Sequence, residues 1–131
     1  MKTKMRILLS KPGLDGHDVG VKVLAQALIE AGYQVKYTGL RKSIEDIVAM
    51  AIEYQADVIG LSILSGTHLI LCEKMALELK NHSLNIPWVV GGNIPARDVE
   101  KLLKIGASKA FATGTKVEEV VKYFEESKVK I

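Results

Sequence analysis

With a single cysteine, Cys72, in 131 residues, the chain can form no intramolecular disulfide and no multi-cysteine metal site. Cys72 lies in a helix-period stretch, which reads as a small buried apolar residue, and such sparing use of cysteine fits a reducing cytoplasm. Long apolar runs are missing too. The basic start MKTKMRILLS carries a short apolar stretch, then reaches a polar loop without a small-residue cleavage site, so neither a signal peptide nor a membrane span is expected. Nor is charge of one sign concentrated anywhere. The net +3 is spread along the chain, with Lys and Glu interleaved in the helical segments, and no basic stripe exists to follow a phosphate backbone. Nucleic-acid binding is therefore excluded. No internal repeat, linker or low-complexity segment breaks the chain, and residues 1–131 read as one domain.

What is present is an alternation of two periods. RILLS (6–10), QVKYT (34–38), DVIGLS (57–62), PWVVG (87–91) and AFAT (110–113) are strand candidates. Between them Val21/Leu24/Leu28, Ile44/Ile47/Val48/Ala51, Leu71/Met75/Leu79 and Val99/Leu102/Leu103 recur at three and four residues, and Val117/Val120/Val121/Phe124 repeats the spacing after the last strand. Ser43 with Asp46 resembles a capping box, Pro95 suits an early helical position, and Gly32 and Gly106 fall where helices stop. Strict βα alternation with continuous apolar strands predicts an α/β fold: a doubly wound five-stranded parallel sheet, flavodoxin-like, in the order 2-1-3-4-5.

Such a fold places a ligand at the carboxyl ends of the strands, at the switch point between strands 1 and 3. Three unusual loops lie on that rim: KPGLDGHDVG (11–20), SILSGTH (62–68) and GGNIP (91–95). The first leaves roughly nine residues between strand and helix, more than the usual two to six. It lacks the G-x-G-x-x-G and P-loop patterns that present backbone N–H groups to phosphate, and it carries Asp15 and Asp18, whose charge repels phosphate. It has no Ser or Thr to hold a flavin phosphate. A phosphoacceptor receiver domain needs an aspartate at the carboxyl end of strand 3, where Ser62 stands; Asp57 sits at the opposite end, in a capping or solvated position.

The loop does hold Asp15-Gly16-His17-Asp18-Val19-Gly20, or Asp-x-His-x-x-Gly. A carboxylate two residues from a histidine can hold one ring nitrogen while the other faces a metal, fixing the tautomer. One protein ligand is too few for a structural zinc site, but it suffices where a macrocycle supplies the other donors.

KPGLDGHDVG, together with YTGLR (37–41), IGLSILSGTH (59–68), VVGGNIP (89–95) and FATGT (111–115), resembles the cobalamin-binding domain of the acyl-CoA mutases, a family that includes methylmalonyl-CoA, isobutyryl-CoA and 2-hydroxyisobutyryl-CoA mutases. The similarity spans nearly the whole chain. It implies adenosylcobalamin as cofactor and His17 as the lower axial ligand of cobalt, with Asp15 on its other nitrogen and Lys11 steadying Asp15. It also implies that Gly16, Asp18, Val19 and Gly20 lie against the cofactor, that Ser62, Leu64, Gly91 and Gly92 line the slot for the displaced nucleotide tail, and that Phe111, Gly114 and Thr115 meet the buried base or its linkage. Ala112 departs from the family pattern, and His68 matches a recurrent position for which a structural hydrogen bond is expected. The implied protein is the small subunit of a two-chain mutase catalysing a radical carbon-skeleton rearrangement. A (β/α)₈ barrel needs about 250 residues of its own, so a separate acyl-CoA-binding barrel subunit, two of each chain in the assembly, is expected. The alternative is a corrinoid carrier of a methyltransferase system, which resembles this chain in sheet and histidine loop but usually has a helical cap ahead of the first strand; strand 1 begins here by about residue 6.

Overall fold

Side chains alternate across each strand, and in this chain both alternating sets are apolar, so both faces of the sheet must be covered. In the computed structural model, which describes residues 5–13 and 16–127, β1 (Arg6–Pro12), β2 (Gln34–Lys42), β3 (Val58–Ile63), β4 (Trp88–Gly92) and β5 (Lys109–Ala110) form one parallel sheet in the order β2-β1-β3-β4-β5. The helices are α1 (Val19–Glu30), α2 (Ile44–Tyr54), α3 (His68–Asn81), α4 (Val99–Ile105) and α5 (Val117–Ser127). Leu8, Ile59, Leu61, Ile63 and Val90 pack with α2, α3 and α4 through Ile47, Cys72, Met75 and Leu102. Ile7, Leu9, Val58 and Val89 face the other way, toward Val21 and Leu28 of α1 and Val120 and Phe124 of α5. The expected fold and strand order are those observed. No helix among the described residues is long and apolar enough to cross a membrane.

Local signals explain most helix boundaries. Ser43 Oγ accepts from Asp46 N at 3.0 Å at the start of α2. Gly32 (φ 101°) ends α1: its N–H reaches Ile29 O and that of Tyr33 reaches Leu28 O, the paired bonds of a Schellman turn. The same pair closes α2 at Gln55 (φ 59°) and α3 at Ser83 (φ 55°), where the absence of glycine hid the turn. Asp57 does not merely face solvent, since its Oδ2 accepts Arg6 N at 2.8 Å and ties the starts of β1 and β3.

Four boundaries differ from expectation. β1 runs on to Pro12, so the connection to α1 is residues 13–18, within the ordinary range; Lys11 and Pro12 are buried strand. β2 extends to Lys42 because the longer β1 continues to pair with it. β5 is two residues long: Phe111 N still donates to Val90 O, but Thr113 N turns to Ile94 O and leaves the ladder. Pro95 precedes a short 3₁₀ turn, Ala96–Asp98, and α4 starts only at Val99.

Candidate cofactor site

The alternation that fills both cores also makes a gap in one of them. On the α1/α5 face, β3 presents Val58, then Gly60, then Ser62, while β4 presents Val89 and then Gly91. Toward the carboxyl edge the sheet therefore runs out of large side chains on that face. Leu9, Gly60 and Val89 are in register across three strands, as are Ser62 and Gly91. The Leu9 side chain lies across Gly60 so closely that a Cβ there would stand 2.7 Å from Leu9 Cδ2. Above this floor a cavity of about 230 Å³ opens between α1 and α5, walled by Val21, Leu24, Val117, Val120 and Phe124.

Nine of the fourteen site residues expected from sequence line that one cavity: His17, Gly20, Ser62, Leu64, Gly91, Gly92, Phe111, Gly114 and Thr115. His17 is exposed at its mouth. Gly91 lines the cavity, and a Cβ there would reach ordinary contact with Phe111 at 3.5 Å while taking up cavity space. Gly92 has a different reason to be glycine: its φ is 116° and a Cβ would lie 2.5 Å from Ile63 O, so β3 and β4 could not approach as they do. Phe111 is buried and meets Tyr123 edge-on at 5.6 Å. Thr115 Oγ1 and N both donate to Ala112 O, at 2.7 and 3.0 Å. The turn is closed by the backbone of residue 112, so alanine serves there.

Four of the other five, all described, are not among the residues that line the cavity. Lys11 is fully buried in β1, and its Nζ donates to Ser62 O at 3.2 Å, bracing the wall from behind. Asp15 lies outside the described residues, and with it the expected bonds to His17 and Lys11. Gly16 is exposed on the connecting loop, and Asp18 accepts from the Tyr37 hydroxyl at 3.1 Å and pairs with Lys22 at 3.3 Å. Val19 begins α1 and is 76% exposed, directed away from the cavity. Sequence reasoning missed Gly60. A glycine inside a strand marks close backbone approach, and that signal was legible in DVIGLS.

Adjacent loops of the rim are tied to one another. Asn93 N donates to Ile63 O at 3.0 Å, and Thr113 Oγ1 donates to Asn93 Oδ1 at 3.0 Å. His68, at the start of α3, makes the structural bond expected of it: Nε2 lies 2.8 Å from Asp98 Oδ2, both side chains buried. That bond, with the charge of Lys101 at 3.6 Å, holds the Asp98 carboxyl below its ordinary value although burial opposes the shift. Burial raises the Cys72 thiol from 9.0 to about 12, and the thiol sits in the opposite core, away from this site.

A single-histidine loop thus stands beside a glycine-floored slot at the switch point of a doubly wound sheet, where folds of this class bind their ligands. Residues 5–122 match the B12 binding domain family, and the chain belongs to it. It is 37% identical over 121 residues to the 2-hydroxyisobutanoyl-CoA mutase small subunit of Aquincola tertiaricarbonis, covering 92% of this chain and 89% of that one. It is 40% identical over 118 residues to the pivalyl-CoA mutase small subunit of Xanthobacter autotrophicus, covering 89% and 79%. The methanol:cobalamin methyltransferase complex of Methanosarcina barkeri contains a chain that superposes with a TM-score of 0.78 at 20% identity, over 99% of this chain and 48% of that one; that likeness is one of fold. The chain thus groups by sequence with small subunits of acyl-CoA mutases.

Proposed function

We propose that this protein, acting as one domain over residues 1–131, is the cobalamin-binding small subunit of an adenosylcobalamin-dependent acyl-CoA mutase. The observation that carries the reading is the cavity between α1 and α5, open beside His17 and floored by Gly60 and Gly91. An imidazole exposed at the mouth of an apolar slot with a small-residue floor would suit a corrinoid with a nucleotide tail. His17 would hold the cobalt, with Asp15 to orient it, and Ser62, Leu64, Gly91, Phe111, Gly114 and Thr115 would hold the nucleotide tail. When bound, adenosylcobalamin supplies a cobalt–carbon bond whose homolysis provides the radical for the rearrangement. The chain's own contribution is to hold. Apolar Leu24, Val89, Val120 and Phe124 exclude water from the slot, Lys11 stiffens its wall through Ser62, and Gly16 and Asp18 flank the imidazole on the loop that presents it.

The partner in this reading is a large subunit with an acyl-CoA-binding barrel, two of each chain in the assembly, working in the cytoplasm. The relatives named as small subunits match most of both lengths, which supports the division into two chains. The large subunit would shield the bound cofactor from solvent, as radical chemistry requires.

One experiment tests the reading. Cob(II)alamin bound to protein labelled with ¹⁵N-histidine should show axial nitrogen splitting from one imidazole in electron paramagnetic resonance, and His17→Ala should remove it. Acyl-CoA isomerisation should appear only after a mutase large subunit is added. A wild-type spectrum without histidine splitting refutes the site. Methyl transfer to a thiol acceptor, with no isomerisation alongside any large subunit, would favour the carrier alternative.

A further inference from the structure

YTGLR (37–41) lies toward the end of β2. Residues 13–18, which hold His17, touch β2 at three described points. Gly13 N donates to Lys42 O at 3.3 Å. Gly16 lies beneath the Arg41 guanidinium, where a Cβ would come 2.8 Å from Nη2. Asp18 Oδ2 accepts the Tyr37 hydroxyl at 3.1 Å. His17 falls between the second and third contacts.

The end of β2 is irregular where it makes them. Its register with β1 shifts between Leu9 and Lys11 and again between Lys11 and Pro12. Gly39 has φ 92°, and Arg41 has φ 57° without being glycine. A left-handed backbone at a residue bearing a Cβ is unfavourable and persists only where its surroundings impose it. Here it accompanies a guanidinium laid over the loop.

We propose that Tyr37 and Arg41 are positioning residues that hold the loop so that His17 is presented at the mouth of the cavity. The inference rests on the reading of His17 as the ligand to cobalt. Gly13 and Gly16 give this stretch wide backbone freedom. Contacts on either side of His17 remove most of it. A loop released from β2 spends less time in the ligating conformation, and apparent affinity falls by that fraction.

The test uses the full chain with cob(II)alamin as probe, comparing wild type, Tyr37→Phe, Arg41→Gln and the double variant, with Tyr54→Phe, at the end of α2 and beside Arg6, as a control. Each single variant should raise Kd by about five- to tenfold and lower the fraction of bound cofactor showing histidine ¹⁵N splitting, while Tyr54→Phe should change neither. The cofactor-free melting temperature separates positioning from plain stability. Variants that melt lower but bind and ligate as wild type, or that match wild type in every respect, overturn the inference. If wild type itself shows no histidine splitting, the ligand assignment fails first, and the inference falls with it.

Discussion

Gly91 and Gly92 are neighbours on β4, yet the same substitution should do opposite things to them. At Gly92 an alanine Cβ would lie 2.5 Å from Ile63 O and 2.9 Å from Ile63 C and N, at a φ of 116°. Those neighbours are backbone and cannot swing aside. The backbone conformation alone costs about 1–3 kcal/mol, and relieving the clash must separate β3 from β4, so the total is about 3 kcal/mol or more. With about 2.1 cal/mol/K of unfolding entropy per residue, a chain of 131 residues loses about 11 °C in Tm. At Gly91 the Cβ meets Phe111 at 3.5 Å, an ordinary contact, and φ is not positive. Removing a glycine from the unfolded ensemble contributes about 0.4–1 kcal/mol in favour of folding, so Gly91→Ala should melt within about 3 °C of wild type or slightly above it. Its methyl intrudes on the cavity, however, and overpacking of about 1–3 kcal/mol should weaken cobalamin binding by about tenfold or more. Thermal unfolding of both variants without cofactor, followed by a cobalamin titration of Gly91→Ala, measures each part. Gly92→Ala melting within a few degrees of wild type would refute the close approach of the strands, and undiminished cobalamin affinity in Gly91→Ala would refute the placement of the tail.

Two further outcomes follow from the titratable groups. Asp98 is held below its ordinary value of 3.8, first by the bond from His68 and then by the charge of Lys101. A depressed carboxylate contributes stability that is complete above its unfolded pKa and is lost as pH falls through the folded one; wild-type Tm should therefore drop more steeply below about pH 4 than that of Asp98→Asn, and parallel curves would show the bond to be inert. Cys72, fully buried with its thiol raised to about 12, should resist an aromatic disulfide reagent at pH 8 in the native protein and react only as fast as the chain opens. Labelling faster than unfolding would place the thiol near the surface.

The architecture was legible because it depends on periods. Continuous apolar runs such as RILLS and PWVVG, and recurrences such as Ile44/Ile47/Val48, survive any error in where an element ends. They sufficed for the parallel sheet and its rim, with the strand order chosen among the few that right-handed crossovers allow. Features decided by long-range geometry were not legible. Gln55 and Ser83 take left-handed conformations because the following chain must return to the sheet, and no residue type announces it. The His68 and Asp98 pair joins loops thirty residues apart that meet only because β3 and β4 are neighbours. The double register shift at the end of β2 depends on how far β1 continues.

The cavity is the instructive intermediate case, because it is written as a subtraction. Among the described residues eighteen buried side chains fill the core against three helices, α2, α3 and α4, and ten fill the core against two, α1 and α5. At the carboxyl edge of the smaller core Gly60, Ser62 and Gly91 leave the sheet without large side chains. Reading each strand as an apolar run counts Gly60 and Ser62 as mild interruptions. Splitting β3 by parity instead assigns Ile59, Leu61 and Ile63 to one face and leaves Val58, Gly60 and Ser62 for the other. One face is then complete to the strand's end and the other is vacant at the carboxyl edge, where the fold already expects a ligand. The packed face can therefore hold β3 and β4 rigid while the vacated one accepts a guest. It follows that large residues introduced at Gly60 or Ser62 act on binding before they act on the fold only where the α1/α5 face has room, as it does at Ser62 and, because Leu9 already lies across it, does not at Gly60.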